Sequence, residues 1–191
     1  MGDDGDGPTS GSLELEPSTT TTTTPQDQAL STVLVEDLPV PGFERADDAL
    51  NAGILDLDAA AAAETDVAAE RALLSAEGFE RGASRAWVGP GQDVVYLAVY
   101  EFETAEGASA YLAEGAEKLV SRGATTFEVL ELEGATGFTT VEESPEGDFT
   151  AHAVSFTQGR RWVLALVGSP ASTRTPDDAR SVAIAQGARL G

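Results

Sequence analysis

Chemistry in this 191-residue chain rests on few kinds of side chain: 33 Asp and Glu, one histidine, His152, and no cysteine. Without cysteine there is no thiolate nucleophile, disulfide or Cys-ligated metal centre. The stretch Gly107-Ala108-Ser109-Ala110-Tyr111 follows a β-type run and opens a helical one, the setting of a nucleophile elbow. That turn requires a second glycine where Tyr111 stands, and the serine falls inside the helix rather than at its entry. Among the carboxylates, Glu101 and Glu103 share one face at the end of a β-type run. A two-carboxylate glycosidase also needs aromatic platforms for its sugar, and the aromatic content is 6%. Asp3-Asp4-Gly5-Asp6-Gly7 fails as a calcium loop, because aligning its glycine puts Gly2 and Leu13 at ligand positions. Glu142-Glu143-Ser144-Pro145-Glu146-Gly147-Asp148 is richer in oxygen and reads as a solvated loop between strands. No glycine-rich phosphate loop opens a helix; Gly89-Pro90-Gly91 leads into a strand. The expectation is a chain with no catalytic residues, no metal and no cofactor.

A second group of residues suits binding better than catalysis. Trp87, Tyr100 and Trp162 are large aromatics in apolar runs, with Arg85 beside the first and Arg161 beside the last, and His152 alternates with Thr150, Val154 and Phe156. Large aromatics ordinarily fill a core. An arginine in the same run must find a carboxylate or a ligand, because a buried charge without a partner is costly. Arg85, Trp87, Tyr100, His152 and Trp162 are therefore the candidate ligand-binding residues, lining a pocket between sheet and helices.

These residues sit on two hairpins. Gly78–Val88 and Val94–Phe102 flank Gly89-Pro90-Gly91-Gln92, and Phe149–Thr157 and Arg160–Val167 flank Gln158-Gly159. Val94–Phe102 and Trp162–Val167 are apolar on both alternating faces, which predicts interior strands covered on both sides. Helices are expected over Leu57–Glu77, with Ala60, Ala63, Val67 and Leu74 as its apolar stripe and a kink at Thr65-Asp66; over Thr104–Arg122, with Ala108, Tyr111, Leu112 and Leu119; and from Thr175 to Leu190, where Thr175 caps, Pro176 opens and Asp177-Asp178 meet the positive dipole end. Shorter β-type runs cover Thr125–Leu132 and Gly137–Val141, and Leu30–Phe43, broken by Pro39 and Pro41, reads as an edge strand or extended lead-in. The fold class is α+β: an antiparallel sheet built from two main hairpins, with about three helices packed on it. A hairpin followed by a helix occurs twice, which raises the possibility of an internal repeat.

The net charge is −22, and residues 1–30 hold six acids and no base, leaving −16 on the remainder. Such a field repels phosphate backbones and anionic lipid, excluding nucleic acid as a partner and docking through a basic patch. Residues 1–30, rich in Gly and Asp and then in threonine from Thr19 to Thr24, bury too little to offset ordering entropy. They are expected to form a disordered linker, with a single α+β domain over 31–191. No apolar run reaches the ~20 residues of a membrane helix. A Thr/Pro stalk suggests an export signal or lipid anchor upstream, with any signal peptide removed.

Leu38-Pro39…Gly42-Phe43, Gly78-Phe79-x-x-Gly82-x-x-Arg85-x-Trp87 and Gly159-Arg160 before an apolar strand carry a resemblance. The chain resembles secreted and lipoprotein-type proteins of actinobacteria that have no assigned function. The resemblance implies an extracytoplasmic location and a sheet-and-helix sandwich like the PsbP/Mog1 fold, and it brings no site residues. The lipobox cysteine of such lipoproteins is absent here. The function expected is a non-enzymatic, exported or cell-surface binding, sensor or accessory domain for an unknown small ligand or protein partner. Its competitors are a carboxylate-based hydrolase and a salt-adapted acidic domain with no ligand.

Overall fold

The computed structural model describes residues 25–50, 52–143, 147–170 and 172–191. In chain order the elements are α1 (Pro25–Thr32), β1 (Glu44–Arg45), β2 (Ile54–Leu55), α2 (Leu57–Ala61), α3 (Val67–Ala76), β3 (Phe79–Val88), β4 (Val94–Phe102), α4 (Ala105–Ser121), β5 (Thr125–Glu128), β6 (Thr136–Glu142), β7 (Phe149–Gln158), β8 (Arg161–Ser169) and α5 (Pro176–Leu190). The fold is α+β. One antiparallel sheet has the order β1-β3-β4-β8-β7-β6-β5, and β2 pairs with β3 beside β1. The two expected hairpins meet at its centre, where β4 pairs with β8 from Val94↔Gly168 to Glu101↔Arg161.

Both central strands are covered on both sides, as their sequences require. On the first face α1 and α5 pack over Trp87, Val95, Leu97, Val99, Val154, Phe156, Val163 and Val167. On the second face α2, α3 and α4 pack over Ala98, Tyr100, Phe102, Trp162 and Leu164. The helices that follow the two hairpins, α4 and α5, thus lie on opposite faces, so the hairpin–helix recurrence in the sequence is not a structural repeat.

Several boundaries differ from expectation for identifiable reasons. The helix expected over Leu57–Glu77 is two helices, because Asp56 and Asp66 each accept from a backbone amide and start a separate one. Ala60 and Leu74 are buried, whereas Ala63 and Val67 are exposed because the break rotates them out. Gly78 follows α3 with φ of 76°, the left-handed position that favours glycine. Gly107, the glycine of the false nucleophile elbow, lets α4 approach the end of α3: a Cβ there would run into the Glu77 carbonyl oxygen. Ser109 donates to the Ala105 carbonyl and faces solvent.

The expected linker boundary at residue 30 falls within α1, while residues 1–24 lie outside the described residues. Leu30–Phe43 is not an edge strand: α1 takes its start, and Leu34, Val35 and Val40 enter the first-face core through a turn-rich path. That path is held by side chains. A helix leaves its last carbonyls without intrahelical partners. Arg85 donates to the Ser31, Leu34 and Val35 carbonyls at 3.3, 2.9 and 2.7 Å. Gln186, fully buried on α5, donates to Val33 O at 2.9 Å and accepts from Val35 N at 3.0 Å, and Arg189 donates to Thr32 O at 2.8 Å. Replacing Arg85 with methionine keeps its bulk but strands these acceptors. Urea denaturation is expected to show a loss of about 2–4 kcal/mol, the range for losing charged hydrogen bonds at a buried position.

Candidate functional site

The sheet divides the residues singled out from the sequence. Arg85, Trp87 and His152 belong to the first face, and Tyr100 and Trp162 to the second. Arg85 is 7% exposed and meets the main chain described above, with Glu36 at 3.8 Å as its carboxylate. Trp87 is core. His152 is pinned on both nitrogens, with Nδ1 at 2.9 Å from the Thr139 hydroxyl and Nε2 at 3.1 Å from the Arg174 carbonyl. Arg174 in turn pairs with buried Asp93 at 2.6 Å and lies over the Phe43 ring at 4.5 Å. The sequence pointed to one pocket holding all five residues; the geometry instead gives the first-face three structural partners.

Trp162 does reach a cavity, and Tyr100 backs it from within the second-face core. Their rings are 4.8 Å apart, and Tyr111 from α4 meets Trp162 edge-on at 5.0 Å. Beyond this aromatic wall, α4 stands off the sheet. The cause is small side chains: β7 presents Ala151, Ala153 and Ser155 to the second face, opposite Gly115 and Ala116 of α4. Trp162, Leu164 and Leu166 of β8 and Phe138 and Thr140 of β6 complete the floor, and Leu112, Leu119 and Leu73 the sides. The space is about 190 Å³, larger than the ~150 Å³ of an engineered apolar cavity that binds benzene.

Gly115 is half-buried and lines this space. It continues the sheet-facing stripe of Ala108, Tyr111 and Leu112, yet a Cβ built on it would meet no heavy atom within 4 Å. Glycine inside a helix is less favourable than alanine by about 1 kcal/mol, and nothing here crowds it.

The mouth carries charge. Glu70, 4% exposed, accepts from the Tyr111 hydroxyl at 2.6 Å and from Lys118 at 3.2 Å. Lys118 also bonds Glu64 at 2.8 Å, and Arg122 lies 3.8 Å from the same Glu64 oxygen. Burial works to lower the Lys118 pKa, but its bonds to Glu64 and Glu70 outweigh that and hold it above the ordinary value. Lys118 is a cation at neutral pH, not a nucleophile. Burial, with Tyr100 and Glu70 nearby, pushes the Tyr111 hydroxyl well up, so it donates and does not act as a base. From the sequence alone this group went unnoticed; its signals were a glycine interrupting the α4 stripe and the single lysine of the chain.

The carboxylate expected for acid–base chemistry is otherwise engaged. Glu101 lies between the cross-strand neighbours Arg81 and Arg161; Arg81 Nε donates to it at 2.7 Å, and Arg160 lies at 3.2 Å. Burial alone would raise its pKa, but the Arg81 hydrogen bond and the three guanidinium charges hold it below the ordinary 4.5. Glu103 is exposed. Among the described residues no three His, Asp or Glu converge as metal ligands, and residues 144–146 of the oxygen-rich loop lie outside them. No helix of the described residues is long and apolar enough to cross a membrane.

The chain is similar to a solved structure, the extracellular domain of PknH from Mycobacterium tuberculosis, with a TM-score of 0.59 and 14% identity over 86% of this chain and 96% of that one. At that identity the likeness concerns the fold. The neighbour is an extracellular domain of an actinobacterial protein, in line with the broader part of the resemblance drawn from the sequence. No protein-family model and no curated protein sequence matches the chain.

Because the folded-state pKa of Glu101 is depressed, its stabilisation is present in full above pH 4.5 and is lost as pH falls through the folded value. Wild type should exceed Glu101→Gln by about 1–3 kcal/mol at pH 7, since the buried carboxylate's charged hydrogen bonds are lost while the arginines left behind are partly solvated. The gap should close below pH 4.5; urea titrations from pH 7 to pH 3 measure it.

Proposed function

We propose that this chain is a non-enzymatic, extracytoplasmic binding or sensor module whose ligand site is the cavity between α4 and the second face of the sheet. The observation that carries the reading is Gly115, a helix glycine on the sheet-facing stripe with open space in front of it, over a floor of Ala151, Ala153 and Ser155. Apolar walls with a few polar groups at one end are the usual make-up of a small-molecule site. The engagement of Glu101 by three arginines supports a binding role over a carboxylate-based hydrolase.

The likeness to an extracellular domain supports placing the module outside the cytoplasm. So does the Thr-rich composition of residues 19–24, which suits a stalk leading from an anchor or export signal to the domain that begins with α1. A lipoprotein-type relationship is the finer form of the same reading, and the full gene start tests it by the presence or absence of a lipobox.

The cavity is tested with toluene, naphthalene and 1-octanol in a thermal-shift assay on the full chain. A ligand at one hundred times its Kd adds about 2.7 kcal/mol, a shift of about 5–10 °C for a domain of this size. Gly115→Leu should stabilise the unliganded protein by about 1 kcal/mol through helix propensity. It should also abolish the ligand shift by filling the space. A variant that gains stability yet still responds to ligand would place binding elsewhere.

A further inference from the structure

We propose that the cavity takes a single-chain amphiphile with a carboxylate head, and that Glu64 is a built-in substitute for that head. This rests on reading the cavity as a ligand site. The two glutamates at the mouth have unlike roles. Glu70 is buried, bonded to Tyr111 and Lys118, and answers the Lys118 charge permanently. Glu64 is 38% exposed and sits on the short link between α2 and α3, where its carboxylate bridges Lys118 and Arg122. If Glu64 turns out to solvent, Glu70 still balances Lys118 and Arg122 is left over. The mouth then carries one positive charge, which suits a monoanion, and the position vacated is shaped for a carboxylate. The apolar tail of such a ligand lies between Gly115 and the small residues of β7.

The net charge of −22 does not forbid an anionic ligand here. At physiological ionic strength the screening length is about 8 Å, so contacts of hydrogen-bond length at Lys118 and Arg122 outweigh the distant surface acids. Among the described residues the second face adds no other cation to the cavity wall. A longer chain is disfavoured by volume, since the space is close to that of a benzene-binding cavity, so an acyl chain of about eight carbons is the appropriate probe.

Calorimetric titration of the full chain at 0.15 M salt with octanoate, 1-octanol, octylammonium and acetate tests this. Octanoate should bind more tightly than 1-octanol and octylammonium, and acetate should not bind. Glu64→Gln should raise octanoate affinity about three- to fivefold, the scale of one partly exposed ion pair, and leave 1-octanol unchanged. Arg122→Gln should lower octanoate affinity by a similar factor. If 1-octanol binds as tightly as octanoate and neither variant separates them, the cavity reading stands and the carboxylate assignment falls. Preference for octylammonium overturns the assignment in the same way. If none of the three chain compounds binds, the cavity reading itself is wrong.

Discussion

Two-sided burial of the central pair of strands is the constraint from which this architecture follows. β4 and β8 have apolar side chains on both faces, and such strands are stable only between two layers. The first face is closed by α1 and α5, whose small residues Ala179 and Ala183 let the helix approach closely. The second face is closed by α2, α3 and the first half of α4. Over β6 and β7, small side chains on both helix and sheet leave the closure incomplete, and the cavity is the result.

The charges obey a related rule. The chain has 11 bases against 33 acids, and every base has a carboxylate or carbonyl partner. The buried acids Glu70, Asp93 and Glu101 each hold one or more of these cations. Among the described residues the other acids are partly or fully exposed, so their charge is solvated. It acts on solubility and association and not on the packing of the core.

The sheet was legible from sequence because its signals are local. Period-two alternation, the Gly-Pro-Gly loop and Gly159 placed both hairpins, and Thr104 and Thr175 marked the starts of α4 and α5. The N-terminal region was not legible. Leu30–Phe43 is apolar without a period because its conformation is set by Arg85, Gln186 and Arg189, which lie 50 to more than 150 residues away in sequence. The candidate site was half legible for the same reason. Tyr100 and Trp162 were found as aromatics in apolar strands. Which face each candidate occupied followed from strand parity, and parity separates Arg85, Trp87 and His152 from them. The cavity itself depends on what is missing, namely side-chain volume at Gly115, Ala151 and Ala153, and an absence of bulk has no signature until distant elements are brought together.

The clamp on the segment after α1 also sets how the domain is presented. α1 enters on the first face and is bolted there through β3 and α5, while the cavity lies on the second. The N-terminal end of α1 therefore lies on the side of the sheet away from the cavity. A force applied at that end loads Arg85 and Gln186 before it reaches α4. The start of α1 and the cavity are mechanically separated by the thickness of the sheet.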